Sequence, residues 1–168
     1  MSAKKEKTLH DLFEDGLKDI YYAEKKILGA LPKMAKASES EQLTEAFEKH
    51  KAETEQQVDR LEQVFRILDQ EPKGKKCAAI EGILEEGKEI MDEFKGLPAL
   101  DAGLVAAAQA VEPYEIARYG TLIAWAEKLG LSDAVPLLQE TLNEEKKTDQ
   151  ALTQLAKTAV NAYAEAAE

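Results

Sequence analysis

Two long stretches of helical periodicity, each interrupted once, limit this chain more than any other feature. In the first, Leu9, Phe13, Leu17, Ile20, Ile27, Leu28 and Leu31 recur at the spacing of one helix face. "KASESEQ" breaks the run, and Leu43, Phe47, Leu61, Val64, Phe65 and Leu68 then restore it. The second stretch leads from "KGLP" to about Leu129, stops at Gly130, and resumes past Ser132 to about Ala164. Between the two stretches lies the loop "QEPKGKK" and a shorter amphipathic segment, "CAAIEGILEEGKEIMDEF". The start signals are Thr8 with Asp11 three residues on, Ser38 or Ser40, Pro98 at a first helical position, and Ser132.

A short polar break makes two helices antiparallel neighbours, whereas a link of about 30 residues is long enough to cross a whole bundle. The expected fold is therefore all-α: a ferritin-like four-helix bundle whose long crossover, between the second and third long helices, contains an extra short helix. Residues 8–165 read as a single domain, preceded by a flexible charged tail at residues 1–7. No fixed-period repeat supports a solenoid instead. Gly29 and Pro32 are expected to bend the end of the first helix. Pro113 is expected to kink the third, because it cannot bond the carbonyl of Gln109.

Composition narrows the partners. Charged residues are 33% of the chain and aromatics 6%, a helix-favouring mixture, and the net charge of −11 argues against nucleic acid and anionic membranes. No transmembrane-length run or signal-like segment is visible, and Cys77 is the only cysteine, so no disulfide or Cys-x-x-Cys module can form within the chain. The cytoplasm is the expected compartment.

The inward faces carry the chemistry. Each long helix breaks its apolar seam near its middle with polar groups: Glu24 in the first; His50, Thr54 and Gln57 with Glu53 beside them in the second; Glu112 and Glu115 in the third; Glu145 and Asp149 in the fourth. Their heights agree. Glu24 lies 14 residues before a turn near residue 38 and Glu53 15 after it, while Glu115 lies 16 before a turn near 131 and Glu145 14 after. At about 1.5 Å per residue each pair matches to within about 3 Å. Buried uncompensated charge costs several kcal/mol per ion, and of the three arginines, Arg60, Arg66 and Arg118, only Arg118 is expected near the seam. Two divalent cations offset such a charge directly, and hard oxygen donors suit iron or manganese. Tyr21, Tyr22, Tyr114 and Tyr119 flank the acids as candidate supports. Trp125 is expected in the core, and Cys77 reads as a small apolar residue.

Five stretches, "DIYYAEKKIL", "HKAETEQQVDRLEQVF", "KKCAAIEGILEEGKEI", "AAQAVEPYEIARYGTL" and "ETLNEEKKTD", resemble successive signatures of the YciF-type, ferritin-like bacterial stress proteins. The resemblance spans roughly residues 8–157. It implies a rubrerythrin-like dinuclear metal site, a homodimer and a role in stress responses, and it brings no substrate. Carried over by position, the family's metal-binding acids become Glu24, Glu53, Glu115 and Glu145, with Glu112 as the additional acid of the third helix. Three departures stand out. Gln56 and Thr148 occupy the places of the two histidines in the rubrerythrin Glu-x-x-His pattern, and Pro113 stands where the family more often has histidine. His50 or Gln57 beside Glu53, and Asp149 beside Glu145, are the expected replacements, and an oxygen-rich set of this kind raises manganese relative to iron.

The functional expectation is a protein carrying two iron or manganese ions that acts on peroxide or oxygen, drawing electrons from a donor outside the chain, or disproportionating peroxide without one. The alternatives are non-catalytic metal sequestration and a structural helical stress protein whose acids are merely paired.

Overall fold

The computed structural model of the chain describes residues 6–166; most of the expected tail, residues 1–5, lies outside them. The described residues form helices and connecting turns: α1 (Leu9–Ala37), α2 (Glu41–Ile67), α3 (Ala78–Glu93), α4 (Leu100–Lys128) and α5 (Ala134–Leu155). A π-helical turn, Ala156–Val160, and a short α6 (Asn161–Glu165) continue α5.

The start of α1 follows its sequence. Thr8 accepts from the amide of Asp11, and the Asp11 carboxylate takes the amide of Thr8 in return, a reciprocal cap. Ser40, rather than Ser38, caps α2. Two other start signals fail. Helix α4 begins at Leu100, past Pro98, with Ala99 before it, and α5 starts after Asp133 without a side-chain cap, so Ser132 does not fill that role. Gly130 adopts a φ of 71°, the left-handed conformation that ends α4 at no steric cost.

Contacts fix the direction of each helix. Tyr119 of α4 meets Glu24 of α1 while Asp101, at the start of α4, meets Glu39 and Ser40 after the end of α1, so α1 and α4 are antiparallel. Arg60 with Thr141, and Glu53 with Thr148, set α2 against α5 in the same antiparallel sense. The crossover must therefore return the chain along the bundle, the ferritin-like arrangement, and α3 carries it. Helix α3 packs on α4 and α1. Its approach to α4 is close enough that a Cβ on Gly103 would lie 2.6 Å from Cγ2 of Ile90. Cys77 caps α3, its sulfur accepting from the amide of Ile80.

The core runs along the shared axis, through Phe13, Leu17 and Ile20 of α1, Leu43, Phe47 and Leu61 of α2, Leu104 and Leu122 of α4, and Leu138 of α5. Helix α4 continues past Pro113, which sits on its exposed side. One expectation is corrected. Trp125 is half-buried, packed towards Gly16 at the edge of the core instead of within it.

Candidate metal centre

Midway along the bundle the apolar core gives way to carboxyls. Glu24, Glu112, Glu115 and Glu145 are fully buried, Gln57 likewise, and His50 is 4% exposed. Helical spacing explains the convergence: His50 and Gln57 sit seven residues apart on α2, and Glu112 and Glu115 three apart on α4, so each pair shares a face. One potential ligand atom from each of His50, Glu112, Glu115 and Glu145 can be chosen so that all four lie within 4.8 Å of one another. Nε2 of His50 is 3.1 Å from Oε1 of Glu112, without the alignment of a hydrogen bond.

The groups around the cluster hold only part of it. Tyr119, buried on α4, donates its hydroxyl to Oε1 of Glu24. The amide nitrogen of Gln57 donates to Oε1 of Glu145 and, at 3.0 Å, to Oε2 of Glu144. What remains is unusual. With the acids ionised, nine buried side-chain atoms lack a hydrogen-bond partner among the described residues, and all nine belong to Glu24, His50, Gln57, Glu112, Glu115 and Glu145; only a shared proton can link Glu115 to Glu24 or Glu145, or Glu112 to Glu145. An unsatisfied buried polar group ordinarily costs about 1–3 kcal/mol, so a fold that gathers them in one volume without another purpose is badly placed.

Electrostatics point the same way. Burial, with the charge of Glu145 adding to it, pushes Glu24 up to about 8 despite the opposing hydrogen bond from Tyr119. Glu112 is pushed up to about 7, chiefly by burial, with the charges of Glu24, Asp149 and Glu53 contributing. Burial and neighbouring carboxyls hold Glu115 and Glu145 well above the usual carboxyl range. A cluster whose members resist ionisation in this way keeps protons at neutral pH or needs cations in their place.

The remaining candidates stand at the periphery. Glu53 is half-buried and turned towards α5, 3.5 Å from the Thr148 hydroxyl and 3.6 Å from the Lys49 ammonium. The buried face of α2 carries His50 and Gln57, together with Thr54 and Leu61. Asp149 is half-buried too and reaches Glu112 only through its charge.

Sequence reasoning misplaced the arginines. Arg118 is exposed, its guanidinium 5.3 Å from the centre of the Tyr114 ring, whereas Arg60 is the buried one. Arg60 binds both oxygens of Glu144 at 2.7 Å, Glu140 at 2.9 Å and the Thr141 hydroxyl at 3.2 Å. The signal was available, since Arg60 follows Gln57 by three residues and extends the same face. Of the four candidate tyrosines only Tyr119 hydrogen-bonds a cluster acid. Tyr21 binds Glu62, Tyr22 binds Glu81, and Tyr114 donates to Asp19 while its oxygen lies 3.0 Å from the Cys77 sulfur.

Comparison with known proteins supplies the lineage. The family described as domain of unknown function DUF892 matches residues 8–165. The chain belongs to the DUF892 family. Within it, protein YciF of Escherichia coli (strain K12) is 47% identical over 160 residues, covering 95% of this chain and 96% of that protein. The crystal structure of the E. coli stress protein YciF superposes with a TM-score of 0.88 at 46% identity, over 93% of this chain and 99% of that one. YcfI from Rhodopseudomonas palustris, described as a candidate structural protein, gives 0.86 at 48% identity over 91% and 98%. A Xanthomonas campestris protein at 22% identity shares the fold, with a TM-score of 0.73 over 94% and 97%. No helix among the described residues is long and apolar enough to cross a membrane.

Proposed function

We propose that this DUF892 chain is a stress-response protein that holds two iron or manganese ions at the buried cluster and acts there on peroxide or oxygen. The observation that carries this reading is the set of nine unpartnered buried atoms, contributed by all four long helices and confined to six side chains. Glu24, His50, Glu112, Glu115 and Glu145 would hold the ions, with the Gln57 carbonyl as a further donor and Glu53 and Asp149 at the edge. Bound iron or manganese would supply Lewis acidity and a change of oxidation state to a small oxidant.

The chain's own residues do the rest. Tyr119 orients Glu24, Gln57 orients Glu145, and Phe47, Ala108 and Leu152 confine the opening beside His50 to about 50 Å³. Cys77 is the only cysteine, so a cysteine-ligated redox centre cannot form within the chain, and any reducing electrons come from a donor outside it. A homodimer in the cytoplasm fits the same reading.

Metal sequestration or a structural role is the second reading. It is favoured by the donor set, which lacks the Glu-x-x-His histidines, and by the structural role ascribed to the R. palustris relative.

Elemental analysis of protein purified from its native host tests the shared premise, and two equivalents of iron or manganese per chain are expected. Peroxide consumption then separates the readings. The catalytic one requires turnover faster than the same metal free in buffer, with a reductant present, and loss of the excess in Glu115→Ala. Metal without excess turnover favours sequestration.

A further inference from the structure

The centre is walled on most of the sides the contacts reveal. Helix α3 packs on both α1 and α4, with its own Ile80 and its capping residue Cys77 buried. Between α2 and α5, on the side of the centre towards Arg60, the clasp of Arg60 with Glu140, Thr141 and Glu144 closes the seam and ties into Gln57. On the other side of the centre the same seam is open. A cleft of about 50 Å³ lies there, its wall including Ala46, Phe47, His50, Glu53, Ala108 and Thr148.

Three features of this cleft point to a ligand. His50 lines it while buried to 4% exposure, and neither ring nitrogen has a hydrogen-bond partner. Glu53 also lines it and is only loosely held, by contacts of 3.5 and 3.6 Å. The wall between the polar groups is made of small or apolar side chains, and the volume admits a few water-sized molecules, since one needs about 10–15 Å³. A wide substrate is excluded, whereas a partly hydrated ion passes.

We infer that this cleft is the route by which a divalent cation reaches the centre, with Glu53 as the carboxylate that receives it at the mouth. The inference rests on the metal-binding reading above. Glu53 displaces water from the ion and parts from Lys49. His50 and Glu112, 3.1 Å apart behind it, take the ion onward. Half-burial is what this role requires, because a fully buried carboxylate could not meet a hydrated ion and an exposed one could not deliver it.

The test measures Mn²⁺ uptake by the metal-free full chain, followed by loss of the free-ion electron paramagnetic resonance signal, and release into excess chelator. Ala46→Leu with Ala151→Leu narrows the cleft from two lining positions that carry no ligating group. Uptake and release are both expected to slow by about tenfold or more, with equilibrium affinity and stoichiometry unchanged, since a barrier on the route leaves the end states alone. Ala117→Leu, on the exposed face of α4, is the control for general stiffening and is expected to exchange metal at the original rate. Glu53→Gln, which removes the receiving carboxylate, is expected to slow uptake. Unchanged rates in the cleft variant with full loading would overturn the route, as would equal slowing in the control. Failure of the unsubstituted chain to bind Mn²⁺ at all would overturn the metal reading and the route with it.

Discussion

The hydroxyl of Tyr119 on α4 is donated to Oε1 of Glu24 on α1, so one carboxylate oxygen is fixed while Oε2 is left without a partner. This bond crosses the bundle between two non-consecutive helices at the height of the cluster. It aims the free oxygen and links the orientation of an acid to the packing of the core.

Removing that hydroxyl separates orientation from charge. Tyr119→Phe keeps the ring in its fully buried site and takes from Oε1 of Glu24 its tyrosine donor. The metal-free protein should lose about 1–3 kcal/mol in urea unfolding, the cost of an unsatisfied buried polar group. Metal affinity should fall by about tenfold to a hundredfold, as for other lost supports of a ligand. Titration calorimetry with Mn²⁺ checks the second figure, and unaltered affinity would show that Tyr119 serves packing alone.

The raised acids set a direction for pH. Burial pushes Glu24 up to about 8 and Glu112 up to about 7 in the folded chain, from an ordinary value of 4.5. The native state therefore binds protons more tightly than the unfolded state. The resulting stabilisation is complete below about 4.5 and is lost as pH rises through 7 and 8. Metal-free protein should lose stability between pH 5 and 8, by up to about 1.4 kcal/mol per pH unit for each such carboxyl. Metal-loaded protein should show the opposite trend, because ions compete with the same protons. Denaturant midpoints across this range, with and without Mn²⁺, decide it, and parallel curves would count against ion binding at these acids.

Asp101 gives a prediction independent of metal. Its two oxygens accept the amides of Glu39 at 2.9 Å and Ser40 at 2.7 Å, joining the start of α4 to the turn between α1 and α2. Asp101→Ala leaves both donors unpaired and should cost about 1–2 kcal/mol, in the range of a lost helix cap. Thermal unfolding of the metal-free chain measures it, and metal stoichiometry should be unaffected.

The fold was legible because its signals are local and redundant. Apolar residues at helical spacing, a reciprocal cap at Thr8 and a left-handed stop at Gly130 each act within one turn, and the length of the crossover then leaves few topologies. The six buried polar residues of the cluster were legible because polar groups interrupting an apolar seam are visible in one dimension. What escaped depended on rotation about the helix axis and on long side chains. Glu53 lies within one turn of both His50 and Gln57 yet faces the rim, a difference of angle that height along the helix cannot reveal. Arg60 was missed for a related reason. Its spacing from Gln57 shows the face it shares, but its charge is neutralised by Glu140 and Glu144 on another helix, a pairing that α2 alone does not announce. Asp101, whose partners lie about 60 residues away in sequence, escaped likewise.

The last prediction concerns what cations do for the fold. Glu115 and Glu145 are buried against one another and against Glu24 and Glu112, and each raises the cost of ionising the next. Without metal, then, the native state at neutral pH either retains protons or bears repulsion; with metal, it is stabilised by mass action as RT ln(1 + [L]/Kd). Chelation should lower the melting temperature of the unsubstituted chain, by several degrees if loading supplies about 3 kcal/mol. Glu115→Gln with Glu145→Gln removes two of the mutually repelling groups while preserving volume and helix propensity. The metal-free double variant should therefore melt at or above the metal-free parent, yet gain nothing from Mn²⁺. This crossing of effects, more stable without metal and indifferent to it, differs from the uniform loss expected of a merely structural polar network. Scanning calorimetry of both chains in chelator and in excess Mn²⁺ reads it directly, and a double variant that unfolds more readily in chelator than its parent would assign these carboxyls to the scaffold.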